Sequence, residues 1–87
     1  MELAMDTIEE RLTDILLDDL NVERDRKAIR PTDSLRQDLG LDSLGFVELR
    51  SEVETRFGIS IADEEFTPEN FSTIAALSAL IRRRSPN

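Results

Sequence analysis

The 87-residue chain contains no cysteine and no histidine. No disulfide can brace it, and neither a cysteine nor a serine–histidine nucleophile can form. Any metal site would have to be built from oxygen ligands alone. Lack of cysteine also suits a reducing compartment. No apolar run approaches the ~20 residues of a membrane-spanning helix. The first residues, Met1-Glu-Leu-Ala-Met5, lack the basic region and apolar core of a secretion signal. Strand-like alternation, internal repeats and low-complexity stretches are missing too. The expectation is a soluble, cytoplasmic, all-α protein: a single domain over 1–87, with an ordered core at about 5–83 and frayed termini such as Ser85-Pro-Asn87.

What the chain has in excess is negative charge. Nineteen acidic residues stand against eleven basic ones, for a net charge of −8. Between Asp42 and Ser72 the acids are Asp42, Glu48, Glu52, Glu54, Asp63, Glu64, Glu65 and Glu69, opposed only by Arg50 and Arg56. Such a face repels nucleic acid and anionic membranes, and it steers partners that carry basic patches. Simple solubility accounts for the charge equally well.

Three segments show helical period. The first spans Thr7 to Asp19, with Asp6 as N-cap and Glu9 completing a capping box. Ile8, Leu12, Ile15 and Leu16 form its apolar stripe. The second spans Ser43 to Phe57, between an Asp42 cap and Gly58 at the left-handed C-cap position. The third spans Thr73 to Arg83, capped by Ser72 or Thr73, and Arg82-Arg83-Arg84 suits the negative end of its dipole as a solvated terminus. A short helical turn is expected near Asp63–Phe66, with Ile61, Phe66 and Phe71 pointing inward. Asn21 to Gln37 reads as a long loop pinned by Val22, Ile29 and Leu35. These elements describe a small up-and-down bundle with one added turn.

The second helix has two apolar stripes where a packed helix needs one. With ~100 degrees per residue, Phe46, Leu49, Val53 and Phe57 share a core face. Leu44, Val47 and Ser51 fall on another, flanked by Glu48, Glu54 and Thr55. That second strip is either a docking surface or packing beneath the long loop. Ser43 starts beside it, at the first turn, where free N–H groups and the helix dipole favour an anion such as a phosphodiester. As an isolated Asp-Ser pair, Ser43 would read as a second capping residue.

The match is longer than that pair. Gly40-Leu-Asp-Ser-Leu44, then Val47-Glu48-Leu49, Glu54, Phe57 and Ile61, closely resembles the acyl carrier protein family over residues 5–82. The resemblance implies a four-helix bundle of three main helices plus a short third one, with a long loop between the first two. It implies 4'-phosphopantetheine, moved from coenzyme A onto Ser43 by a phosphopantetheinyl transferase, whose terminal thiol carries acyl groups as thioesters. Asp42 matches the aspartate before the modified serine. Leu44, Val47, Glu48, Ser51 and Glu54 match partner-docking positions. The implied protein is a non-catalytic monomeric carrier, served by acyl- or aminoacyl-loading ligases, synthases or transferases with basic patches.

Some positions depart from housekeeping fatty-acid carriers: Gly45, Arg50, Ser51 and the longer stretch Phe66-Thr-Pro-Glu-Asn-Phe-Ser-Thr73. They favour a specialised polyketide, lipid or lipopeptide route. Phe71 before a Ser-Thr helix start is similar to D-alanyl and aminoacyl carriers, which makes an aminoacyl or peptidyl carrier the alternative. Another class is a small acidic interaction domain with no prosthetic group. A calcium loop fits poorly, because Asp38–Leu49 lacks the glycine and terminal glutamate of an EF-hand.

Overall fold

The capping box at Asp6 sets the first helix. The Glu9 N–H donates to the Asp6 carboxylate at 2.8 Å, and the Asp6 N–H donates back to Glu9 at 3.1 Å. A computed structural model of the protein describes residues 5–84, so the predicted fraying at the two ends lies outside the described residues. From that cap, α1 runs over Thr7–Asp14 and continues as a π-helical turn over Ile15–Asp19. The predicted span of Thr7–Asp19 is therefore helical throughout, but its last turn is widened. The turn closes on Asn21, in the left-handed region at φ 57°, and the Val22 N–H donates to the Leu16 carbonyl at 2.9 Å. Asparagine tolerates that conformation better than most residues.

Helix α2 occupies Ser43–Phe57 between an Asp42 cap and Gly58 at φ 64°, as its flanking residues predict. Helix α3 runs over Ile74–Arg84. Its cap is Thr73, whose hydroxyl accepts from the Ala76 N–H at 3.0 Å. A 3-10 turn forms at Asp63–Glu65, where the short turn is expected. Arg26–Ala28 adds a second one inside the long loop, which the polar composition there conceals. Among the described residues there is no strand, only an isolated antiparallel bridge between Ser34 and Thr73.

Packing centres on α1 against α3. Leu12, Ile15 and Leu16 meet Ile74, Leu77, Leu80 and Ile81 in a single buried cluster. Helix α2 adds only Leu49 and Val53, whereas the chain between α1 and α2 adds Ile29, Leu35, Leu39 and Leu41. That segment is thus an integral wall of the core, not a flap over it. It is stitched to the start of α3 by Leu35 N–H to the Ser72 carbonyl and Ala75 N–H to the Pro31 carbonyl, each at 2.9 Å. Ile61 and Phe71 are buried as expected, but Val22 and Phe66 are only half-buried.

Two members of the predicted α2 core face behave differently. Phe46 and Phe57 are half-buried, not core. Each lies under an arginine: Arg11 stands 4.1 Å above the Phe57 ring and Arg36 5.6 Å above Phe46. The α3 arginines are also more engaged than a solvated terminus implies. Arg82 pairs with Asp6, and Arg84 pairs with Glu65 at 3.4 Å.

Candidate functional site

Ser43 is the first residue of α2, and it is exposed. Its placement follows from the loop before it. Gly40 at φ 79° turns the chain, the Leu41 N–H donates to the Leu35 carbonyl at 2.9 Å, and Leu41 is buried. Asp42 then caps α2, its carboxylate accepting from the Gly45 N–H at 2.8 Å. With Leu41 anchored inward and Asp42 committed to the helix, the next side chain must point away from the core. Among the described residues the Ser43 hydroxyl makes no hydrogen bond, so nothing holds it as a second cap.

Gly45 has a local reason. A Cβ there would stand 3.3 Å from both the Asp42 carboxylate and the Leu41 side chain, tight against the cap. The small residue keeps the Asp42 cap closed.

The second stripe of α2 faces solvent. Leu44 is 66% exposed and Val47 54%, and they are the two large exposed apolar side chains among the described residues. Packing beneath the long loop is therefore not their role. Glu48 and Ser51 are exposed beside them. Glu54 differs: it is half-buried, and its carboxylate accepts from the Ile61 N–H at 2.7 Å. It braces the turn after α2 as well as bearing charge.

Arg50 reads from sequence as an interruption of the acidic side. In the structure it is half-buried and engaged with the segment after α2. Its guanidinium donates to the Ile61 carbonyl at 2.5 Å and to Asp63 at 2.9 Å, and it stands 5.0 Å above the Phe66 ring. Arg50 thus ties α2 to the segment that follows it. No sequence signal separates such a clamp from a surface cation.

Next to Ser43 lies an open groove of about 550 Å³. Ser43, Phe46 and Val47 form one wall, and Ser34, Arg36 and Gln37 another. Phe66, Thr67, Pro68, Phe71 and Ser72 close it, with Phe66 and Phe71 meeting edge to face at 4.9 Å. The sequence placed Phe66 and Phe71 inside the fold but missed that they also shape this groove. An unbonded, exposed hydroxyl at a helix start, opening on a partly aromatic groove, fits a long covalent arm linked through a phosphodiester.

These features fit a class: small helical domains that carry a covalent prosthetic arm. Comparison with known proteins agrees. The family described as phosphopantetheine attachment site matches residues 10–81. An acyl carrier protein of Chlorobium phaeobacteroides is 39% identical over 67 residues, covering 77% of this chain and 81% of that one. The solution structure of a holo acyl carrier protein from Nitrosomonas europaea superposes with a TM-score of 0.75 at 26% identity, over 90% of this chain and 94% of that one. A further match, with a TM-score of 0.66 at 32% identity, comes from the Bradyrhizobium japonicum glycine:[carrier protein] ligase complexed with glycylated carrier protein, and covers 84% of this chain and 92% of that one.

The chain belongs to the acyl carrier protein family. Its prosthetic group is covalent 4'-phosphopantetheine.

Proposed function

We propose that Ser43 is the attachment point, and that the protein presents acyl intermediates to partner enzymes while leaving the catalysis to them. The observation that carries this reading is the exposed, unbonded Ser43 hydroxyl at the start of α2, beside the groove and the bare Leu44–Val47 strip. When bound, the arm supplies a terminal thiol that holds acyl groups as thioesters. The chain's own residues position it. Asp42 fixes the first turn, and the unsatisfied N–H groups there favour the negative phosphodiester. Leu44, Val47, Glu48, Ser51 and Glu54 form the docking strip, apolar at its centre with carboxylates around it. A phosphopantetheinyl transferase and loading ligases, synthases or transferases with basic patches are the partners, met in the cytoplasm.

The route we favour is a specialised polyketide, lipid or lipopeptide one. Ser51 and the Phe66–Thr73 stretch support it. Gly45 and Arg50 support it less, since each has the local structural reason given above. An aminoacyl or peptidyl carrier using the same Ser43 is the second reading, favoured by the likeness to a glycylated carrier.

The test is incubation with coenzyme A and a phosphopantetheinyl transferase, followed by mass spectrometry. The parent gains one phosphopantetheine and Ser43→Ala gains none. A gain that survives Ser43→Ala rejects the assignment. Offering the loaded protein to acyl and aminoacyl ligases then separates the two cargo classes.

A further inference from the structure

Arg36 stands out among the cations. Five arginines form ion pairs: Arg26, Arg50, Arg56, Arg82 and Arg84. Arg11, Arg24 and Arg83 donate to backbone or amide oxygens. Among the described residues the side chains of Lys27, Arg30 and Arg36 do neither, in a chain with eight more acids than bases, and of these three it is Arg36 that lines the groove beside Ser43. Its guanidinium instead rests 5.6 Å above the Phe46 ring, on the rim of the groove that Ser43 also lines.

The register of α2 relates this cation to Ser43. Residues three apart on a helix are surface neighbours, about 5–6 Å between Cβ atoms. Phe46 is three residues after Ser43, and a helical aromatic side chain leans back over the preceding turn. A guanidinium over that ring and the Ser43 side chain therefore border the same groove. We propose that Arg36 is a positioning residue: it pairs with the phosphodiester of the Ser43-linked arm and turns the arm into the Phe46–Phe66–Phe71 groove rather than out into solvent. Arginine suits the task, because its planar fork both stacks on an aromatic face and donates in pairs to phosphate oxygens. The groove's aromatic wall then covers the apolar part of the arm. This inference rests on the assignment of Ser43 as the attachment point.

The experiment is NMR on the loaded protein, made with transferase and coenzyme A and checked by mass. Parent, Arg36→Gln and Arg36→Lys are compared. Arg36 is exposed, so neither variant threatens the fold, and circular dichroism checks that. In the parent, the geminal methyl groups of the arm show cross-peaks to the Phe46 and Phe66 rings, and the phosphorus resonance shifts when salt is raised to 1 M, where the screening length falls to about 3 Å. Arg36→Gln loses the cross-peaks and the salt-dependent shift while keeping the arm. Arg36→Lys retains part of both. Cross-peaks absent from the parent, or unchanged in Arg36→Gln, overturn the inference but leave the attachment standing. A failure to gain the arm at all removes both.

Discussion

At the scale of single residues, the side chains that matter most divide into those with partners and those without. Ser43 lacks a partner at the surface, and Ser78 lacks one in the core. Ser78 is fully buried in α3, and its hydroxyl has no hydrogen bond among the described residues. An unsatisfied buried hydroxyl costs about 1–3 kcal/mol, and alanine is also the better helix former. Ser78→Ala should therefore stabilise the protein by about 1 kcal/mol, shifting its thermal midpoint upward by roughly 4–8 °C for a domain this small. A lower midpoint would mean the hydroxyl has a partner after all. Arg50 is the opposite case. Its bond to the exposed Asp63 carries little, because that carboxylate is 93% exposed. Its bond to the Ile61 carbonyl is the one that counts. Arg50→Gln should cost about 1–2 kcal/mol and speed amide exchange around Ile61 and Phe66. Unchanged exchange there would remove the clamp from the account.

At the scale of elements, α2 does two jobs with one helix, and it can do so because it is only lightly buried. Leu49 and Val53 are its whole contribution to the buried core. Leu49→Ala should cost about 2–5 kcal/mol, read from a urea titration. Phe57→Ala should cost less than Leu49→Ala, because Phe57 is half-buried and shares its face with Arg11; an equal loss would place Phe57 in the core. The contrast marks what the sequence made legible. Caps and the period of apolar residues located α1, α2, α3 and the 63–65 turn, because those signals are local: Asp6 with Glu9, Asp42 with Gly58. The same period could not rank Phe46 and Phe57 below Leu49, because that ranking depends on which neighbours cover them. Nor could it foresee Arg50 or Glu54 folding back onto Ile61, since both bonds cross the α2 end. The strip of Leu44 and Val47 was legible because a second apolar stripe on one helix already conflicts with simple burial. The groove was not, since three separate segments build it and none carries a pattern of its own.

At the scale of the whole molecule, one quantity acts in two directions: the charge of −8. On the docking reading proposed above, unlike charges draw a basic partner toward the exposed strip; like charges strain the folded state. The ion pairs offset that strain only weakly. In five of the six among the described residues, both side chains are more than a quarter exposed, and such pairs are worth about 0–1 kcal/mol each. Salt screens both effects, with a screening length of about 8 Å at physiological strength and 3 Å at 1 M. Association with the transferase should therefore slow as sodium chloride rises, with the dissociation rate much less affected, as stopped-flow measurements would report. Glu48→Lys should reproduce most of that slowing at low salt, since Glu48 borders the strip directly. Folding should respond the other way, its thermal midpoint rising over the same salt range as self-repulsion fades. If the midpoint fell instead, the ion pairs would outweigh the repulsion, and the acidic excess would then have to be explained by docking alone.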